Sequence, residues 1–230
     1  MGVTVKWLGH STFALDVDGH PVLFDPYLTN NPLAAAAADE LDAEMICVSH
    51  AHGDHTGDVI SIAKRTNALV ICNFEMANYF EAKGVKHTHG MNPGGKHSFE
   101  FATLKWTIAH HSSSFPDGTY GGQPNGFVFM AHESGKNIYF AGDTSLFLDM
   151  QLIGKMGIDL AMLPIGDNFT MGPEDSLEAI GYVRPKYVMP MHYNTWEPIA
   201  QDGGAWANQV SNETSATPIV LDPGGTFTLE

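Results

Sequence analysis

The 230-residue sequence predicts an α/β fold in which two β-sheets pack face to face with helices outside. Three observations carry that prediction. Apolar residues make up 43% of the chain, enough for a full core. A strand-rich segment followed by mixed strands and helices occurs twice. No linker rich in Pro, Gly or Ser and no fixed-period repeat divides the chain. Residues 1–230 therefore read as one domain, somewhat above the usual ~150 residues.

The elements follow in order. VTVKWL, TFALDV and PVLFD alternate like strands, and Asp18-Gly19 between the last two is a hairpin signal. Ala34 to Ala38, running into Asp39 and Glu40, form a short helix or a loop. MICVS is a strand ending in a cluster of His and Asp. A helix is predicted over 58–65, then the strand ALVIC, then a helix over 75–83. FEFATLKWTIAHH reads as two strands, and GFVFMA and KNIYFAG as an antiparallel pair joined by Glu133-Ser134-Gly135. A helix is predicted over 146–155, and IDLAMLPI is a buried strand. PEDSLEAIGYV opens with Pro and acidic residues, which suits a helix N-terminus. KYVMPM is a strand, and PIVLD and TFTLE close the chain.

Composition narrows the function classes. Lys plus Arg number 11 against 26 Asp plus Glu, a net charge of −15, so long nucleic acids and anionic membranes are repelled. The apolar runs fall short of the ~20 residues that span a bilayer. MGVTVKWLGH lacks the basic and apolar regions of a secretory signal. Cys47 and Cys72 lie in apolar stretches and read as buried thiols of a reduced compartment. The expectation is a cytoplasmic protein.

Histidine is the unusual component, with 12 residues. His50-Ala51-His52-Gly53-Asp54-His55 places four potential ligands in six residues directly after a strand. Neutral imidazole and carboxylate are donors that Zn²⁺ and similar cations prefer. His50 and His52 project together if the chain stays extended. Gly53 permits a turn that re-aims Asp54 and His55. His87-Thr88-His89 puts two rings on one side of an extended chain, and a solvated loop is its simpler reading.

The motif H-x-H-x-D-H after an apolar strand resembles the metallo-β-lactamase fold superfamily. Further motifs stand in the same order: Ala109-His110-His111-Ser112-Ser113-Ser114, Ala141-Gly142-Asp143-Thr144, and Pro190-Met191-His192-Tyr193-Asn194-Thr195. Trp7-Leu8-Gly9-His10-Ser11, Phe24-Asp25-Pro26-Tyr27 and LPIGDNFTMGPEDS narrow the resemblance to the UPF0173 metal-dependent hydrolases, relatives of ascorbate-6-phosphate lactonase. It covers essentially the whole chain. It implies a four-layer αββα sandwich. It also implies two divalent metal ions, with zinc the leading identity and Mn, Fe or Ni alternatives. By resemblance, His50, His52 and His111 bind the first ion, Asp54, His55 and His192 the second, and Asp143 bridges both. Asp54 also orients the attacking hydroxide and is the catalytic candidate.

The resemblance further implies hydrolysis of a small ester, lactone or phosphoester by a dinuclear centre and bridging hydroxide. The centre keeps a small net positive charge, so an anionic small-molecule substrate is compatible with it. Alternatives are a phosphodiesterase or nuclease and a diiron redox protein. Nucleases of this fold need basic surfaces or added modules, and the diiron proteins carry Glu where this chain has His52. Asp25 is a candidate partner for a ligand's second N–H. His10, Asn168 and Asn194 are candidates for supporting a ligand or contacting substrate. Specificity is expected in loops 27–40, 112–125 and 195–206. A homo-oligomer is the expectation from the relatives.

His110 and His111 set two readings against each other. Alternation along Leu104 to Ala109 turns His110 inward and His111 outward. The resemblance makes His111 the ligand, with His110 packed inward beside it.

Overall fold

The computed structural model describes residues 2–229. Val3–Trp7 (β1), Phe13–Val17 (β2) and His20–Phe24 (β3) form an antiparallel meander. At its turn, Asp18 and Gly19 have φ of 56° and 96°, the left-handed pair a two-residue hairpin needs. Met45–Cys47 (β4) pairs parallel to β3. Gly53–Thr56 (α1) and Val59–Thr66 (α2) lead to Leu69–Asn73 (β5), and Phe74–Ala82 (α3) leads to Thr88–Met91 (β6), both strands again parallel.

The second half repeats the plan. Lys96–Ser98 (β7), Ala102–Ile108 (β8), Asn125–Ala131 (β9) and Asn137–Phe140 (β10) are antiparallel. Met150–Gly154 (α4), Leu160–Pro164 (β11), Pro173–Val183 (α5), Tyr187–Met191 (β12), Gly203–Glu213 (α6) and Thr217–Pro218 (β13) continue it, with β10 to β13 in parallel. Thr226–Leu229 (β14) returns to pair with β1. The sheet orders are β14-β1-β2-β3-β4-β5-β6 and β13-β12-β11-β10-β9-β8-β7.

Burial explains the layers. Val3, Val5 and Trp7 of β1 are buried and alternate with half-exposed neighbours, as in a sheet with one covered face. Their side joins Phe13 and Phe24 to Phe127 and Phe140 of the other sheet, with Phe24 edge-on to Phe127 at 4.9 Å. β4 and β11 are buried throughout, because helices cover their second faces. Val59, Ile62, Met76 and Phe80 pack one outer face. Ile153, Ile180, Val183, Trp206 and Val210 pack the other. This is the αββα sandwich the sequence predicted. Among the described residues, no helix is long and apolar enough to cross a membrane.

Several elements differ from expectation. FEFATLKWTIAHH holds one strand, β8, and its partner β7 lies earlier in KHS, where every residue is exposed and no apolar signal exists. The helix expected over 146–155 is limited to α4, with turns before it. Ala34 to Ala37 are irregular chain with a bend, running into a single 3₁₀ turn at Ala38–Glu40. β6 and α6 carry too little apolar periodicity to be read. In α6 only Trp206 and Val210 have bulky apolar side chains that are fully buried.

Candidate metal centre

The chain leaves β1, β3, β4, β8, β10 and β12 at one edge of the sandwich, and His10, Asp25, His50, His111, Asp143 and His192 each follow one of these strand ends within a few residues. Two backbone hydrogen bonds tie the sheets together there. His192 N–H donates to His10 O at 3.1 Å, and Asn125 N–H donates to Ser49 O at 3.1 Å. The local backbone is strained. His10, Asp25 and His192 have φ of 56°, 42° and 56°, which costs an L-residue about 1–2 kcal/mol each. Gly142 sets Asp143: at φ 63°, a Cβ there would lie 2.5 Å from Asn125 O.

Asp143 occupies the middle of the cluster. Its Oδ2 lies 3.0 Å from His192 Nε2, 3.5 Å from His111 Nε2 and 3.9 Å from His50 Nε2. Its Oδ1 lies 3.4 Å from His55 Nε2. On one side, donor atoms of His50, His52 and His111 gather within 4.8 Å of one another. On the other, those of His10, Asp54, His55 and His192 do the same. The seven residues singled out in the sequence are thus brought together, with His10 added beside the second group.

Asp25 joins both groups from behind. Its Oδ1 accepts Ser49 N–H at 2.7 Å, and its Oδ2 accepts the Ser49 hydroxyl at 2.5 Å and His55 Nδ1–H at 2.7 Å. Ser49 Oγ, its proton committed to Asp25, accepts from His50 Nδ1 at 3.0 Å. One buried carboxylate therefore engages the Nδ1 side of His55 directly and of His50 through Ser49, and both rings present Nε2 toward Asp143. The sequence put Asp25 forward as a carboxylate partner for a ligand's second N–H, and its bond to His55 Nδ1 has that form.

The donor set fits a cation. His55 Nε2 and Asp143 Oδ1 are buried and have no hydrogen-bond partner, an arrangement that is costly unless a positive charge, a proton or a cation, lies between them. Burial pushes His50, His52 and His111 down from the ordinary imidazole value, which leaves their nitrogens neutral and free to donate electrons. Burial also acts to lower His55, but the Asp143, Asp54 and Asp25 carboxylates outweigh it and hold the ring well above its ordinary value. Burial tends to raise Asp143 and Asp54. His192 and His55 overcome it at Asp143, and His55 and His10 at Asp54, so both stay well below the usual carboxylate range. The pocket thus draws positive charge into a buried place.

His10 is fully buried and is not among the residues that line the cleft. Burial, with His192, pushes it down to about 4. As a neutral ring it donates from Nε2 to Asp54 Oδ2 at 3.2 Å and accepts from Thr195 Oγ1 at 2.7 Å.

A cleft of about 690 Å³ opens over Asp54, His52, His111, Asp143 and His192. Tyr27, Phe169, Trp196 and Pro198 also line it. Asn168 and Asn194 are not among its lining residues. Both are exposed with left-handed φ, and Asn194 Oδ1 accepts Gln201 N–H at 2.8 Å. They shape their loops, and their neighbours Phe169 and Trp196 form the wall. Loops 27–40, 112–125 and 195–206 supply Tyr27, Ser112, Trp196 and Pro198 as anticipated, while Phe169 was missed. An exposed aromatic in a loop looks like ordinary surface until the fold brings it to the cleft. His110 also departs from expectation. The β8 ladder ends at Ile108–Asn125, the alternation stops with it, and His110 is exposed against Phe147 at 5.1 Å. It packs outward, and His111 alone reaches Asp143.

With this geometry in hand, the family model of the beta-lactamase superfamily domain matches residues 4–192, and the chain belongs to that superfamily. A UPF0173 metal-dependent hydrolase of Thermus thermophilus is 51% identical over 228 residues, covering 99% of this chain and all of the relative. One from Pelotomaculum thermopropionicum is 47% identical, covering 98% of this chain and 99% of the relative. The structure of Igni18, a metallo hydrolase from the archaeon Ignicoccus hospitalis, superposes with a TM-score of 0.91 at 35% identity, covering 100% and 99% of the two chains. Within the superfamily, the protein belongs to the UPF0173 metal-dependent hydrolases.

Proposed function

We propose that the protein hydrolyses a small ester, lactone or phosphoester at a dinuclear centre. His50, His52 and His111 would hold one divalent ion, Asp54, His55 and His192 the other, and Asp143 both. The placement of Asp143 carries this reading: one buried carboxylate faces imidazoles of both groups. Five imidazoles and two carboxylates are donors suited to zinc. When bound, such ions lower the pKa of an attacking water toward neutrality and polarise a carbonyl or phosphoryl oxygen.

The chain's own residues do the positioning. Asp54 is held ionised and aimed by His10, and its partly exposed carboxylate faces the cleft. It accepts a hydrogen bond from the attacking water and orients that water's lone pair toward the substrate. Asp25 and Ser49 keep His50 and His55 from rotating or changing tautomer. The aromatic wall restricts water around the scissile bond.

Elemental analysis of purified protein, followed by a panel of esters, lactones and phosphodiesters in the metal found, tests the proposal. The expected result is two transition-metal ions per chain and hydrolysis that EDTA abolishes. Full turnover on the panel without bound metal would falsify it.

A further inference from the structure

The cleft combines two features that bear on its substrate. Its wall is aromatic: Tyr27, Phe169 and Trp196 reach it from three separate loops, beside Pro198. Phe169 and Trp196 are 56% and 39% exposed, so large apolar faces stand in water at the mouth. Exposed apolar surface concentrated at a concave site marks where a ligand covers it.

The second feature is charge. Among the described residues that line the cleft, none is Lys or Arg. The sequence extends this beyond the lining. No Lys or Arg occurs between Lys6 and Lys64, between Lys105 and Lys136, between Lys136 and Lys155, between Lys155 and Arg184, or after Lys186. Those gaps contain every loop that carries a site residue. A phosphate or sulfate remote from the scissile bond is ordinarily met by Arg, Lys or a helix N-terminus. Here it would enter a chain of net charge −15 with no basic side chain in those loops.

Resting on the hydrolase reading above, we infer that the substrate is an uncharged ester or lactone bearing an alkyl or aryl group, and that this group lies against Phe169 and Trp196. Apolar contact supplies the binding, and the reacting group alone meets polar residues. A phosphorylated sugar lactone or a phosphodiester is the poorer substrate. In hydrolysis, water adds to the carbonyl carbon, the C–O bond to the leaving oxygen breaks and that oxygen takes up a proton of the water; an ester gives an acid and an alcohol, a lactone a single hydroxy acid.

The experiment compares δ-valerolactone, δ-decalactone and 6-phosphogluconolactone on metal-loaded enzyme. Alongside it, calorimetry measures binding of decanoate and of 6-phosphogluconate. The expected result is that kcat/KM rises tenfold or more from δ-valerolactone to δ-decalactone, with the phosphorylated lactone the slowest. Trp196→Ala and Phe169→Ala should each reduce the decalactone-to-valerolactone ratio several-fold, while Phe74→Ala, an exposed aromatic outside the cleft, leaves it unchanged. Phe169→Arg should shift the preference toward the phosphorylated lactone. A ratio near one in the wild type, or preference for the phosphorylated lactone, overturns the inference while leaving the hydrolase standing. If no lactone turns over, binding still decides: decanoate bound at least tenfold more tightly than 6-phosphogluconate, with the difference lost in Trp196→Ala, supports the apolar site. Equal or reversed binding overturns it. Loss of turnover alone counts against the hydrolase.

Discussion

Imidazoles come together at two places on this sandwich. At the strand-end edge, His50, His52, His55, His111 and His192 surround Asp143, with Asp25 and Asp54 at the back and mouth. Between β6 and β7, His89 and His97 lie with ring centroids 4.3 Å apart, beside Phe99. The rings are as close in the second place as in the first, where His50 and His55 are 4.2 Å apart. What differs is everything else. Among the described residues no ion pair joins His89 or His97 to a carboxylate, and β7 is exposed along its length. Two free imidazoles repel each other once protonated. A metal centre also needs anionic donors, burial that keeps nitrogens neutral, and partners that fix each tautomer.

The largest expected effect follows from removing the shared carboxylate. Asp143→Ala should lose most of both ions and reduce turnover by at least roughly 100-fold, the upper range even for residues that only support a ligand. Elemental analysis checks the first part, and full metal content in this variant would remove Asp143 from the bridging position. His111→Ala should empty the first group and spare the second, whereas His110→Phe keeps both ions and much of the activity, since His110 faces outward against Phe147. Metal titrations with the opposite pattern would restore the alternation argument for His110.

A smaller effect comes from behind the site. Asp25→Asn keeps the volume but replaces an oxygen that accepts from both Ser49 and His55. The expected result is roughly 10–100-fold weaker metal affinity at both groups, measured by competition with a chelator. Weakening confined to His55's side would show that the Ser49 link to His50 contributes nothing.

Much of this was legible in the sequence for a physical reason. Ligands at strand ends appear in clusters beside apolar runs, so the segments after MICVS, KNIYFAG and KYVMPM announced themselves. Asp25 was readable because it ends a strand before the cluster. The rest depends on distances that no linear pattern contains. The departure of His110 from alternation arises where the β8 ladder stops, and a periodicity cannot signal its own end. Phe169 and Trp196 belong to loops whose meeting is a product of the whole fold. β6 and β7 were missed because Met91 is their one buried apolar residue and the rest are exposed or half-exposed.

The smallest expected effect tests the other member of the comparison. If His89 and His97 are surface packing, the double variant His89→Ala/His97→Ala should match wild type in metal content and turnover, with stability at pH 7.5 changed by no more than about 0.5 kcal/mol. Its pH dependence should nevertheless differ. Burial, with His97 close by, lowers His89 below the ordinary value of 6.5. A lowered histidine binds fewer protons in the folded chain than in the unfolded one over the window just under that value, so stability rises with pH there and declines as pH falls through it. Removing the pair removes this share of the slope. Thermal melts at pH 7.5 and 5.5 should therefore show a slightly smaller acid loss in the double variant than in wild type. The remaining titrating groups are common to both proteins and cancel in that difference. An identical acid loss would mean that neither burial nor His97 holds His89 below its ordinary value. A loss of bound metal in the double variant would mean that this second cluster, despite lacking a carboxylate, also holds an ion.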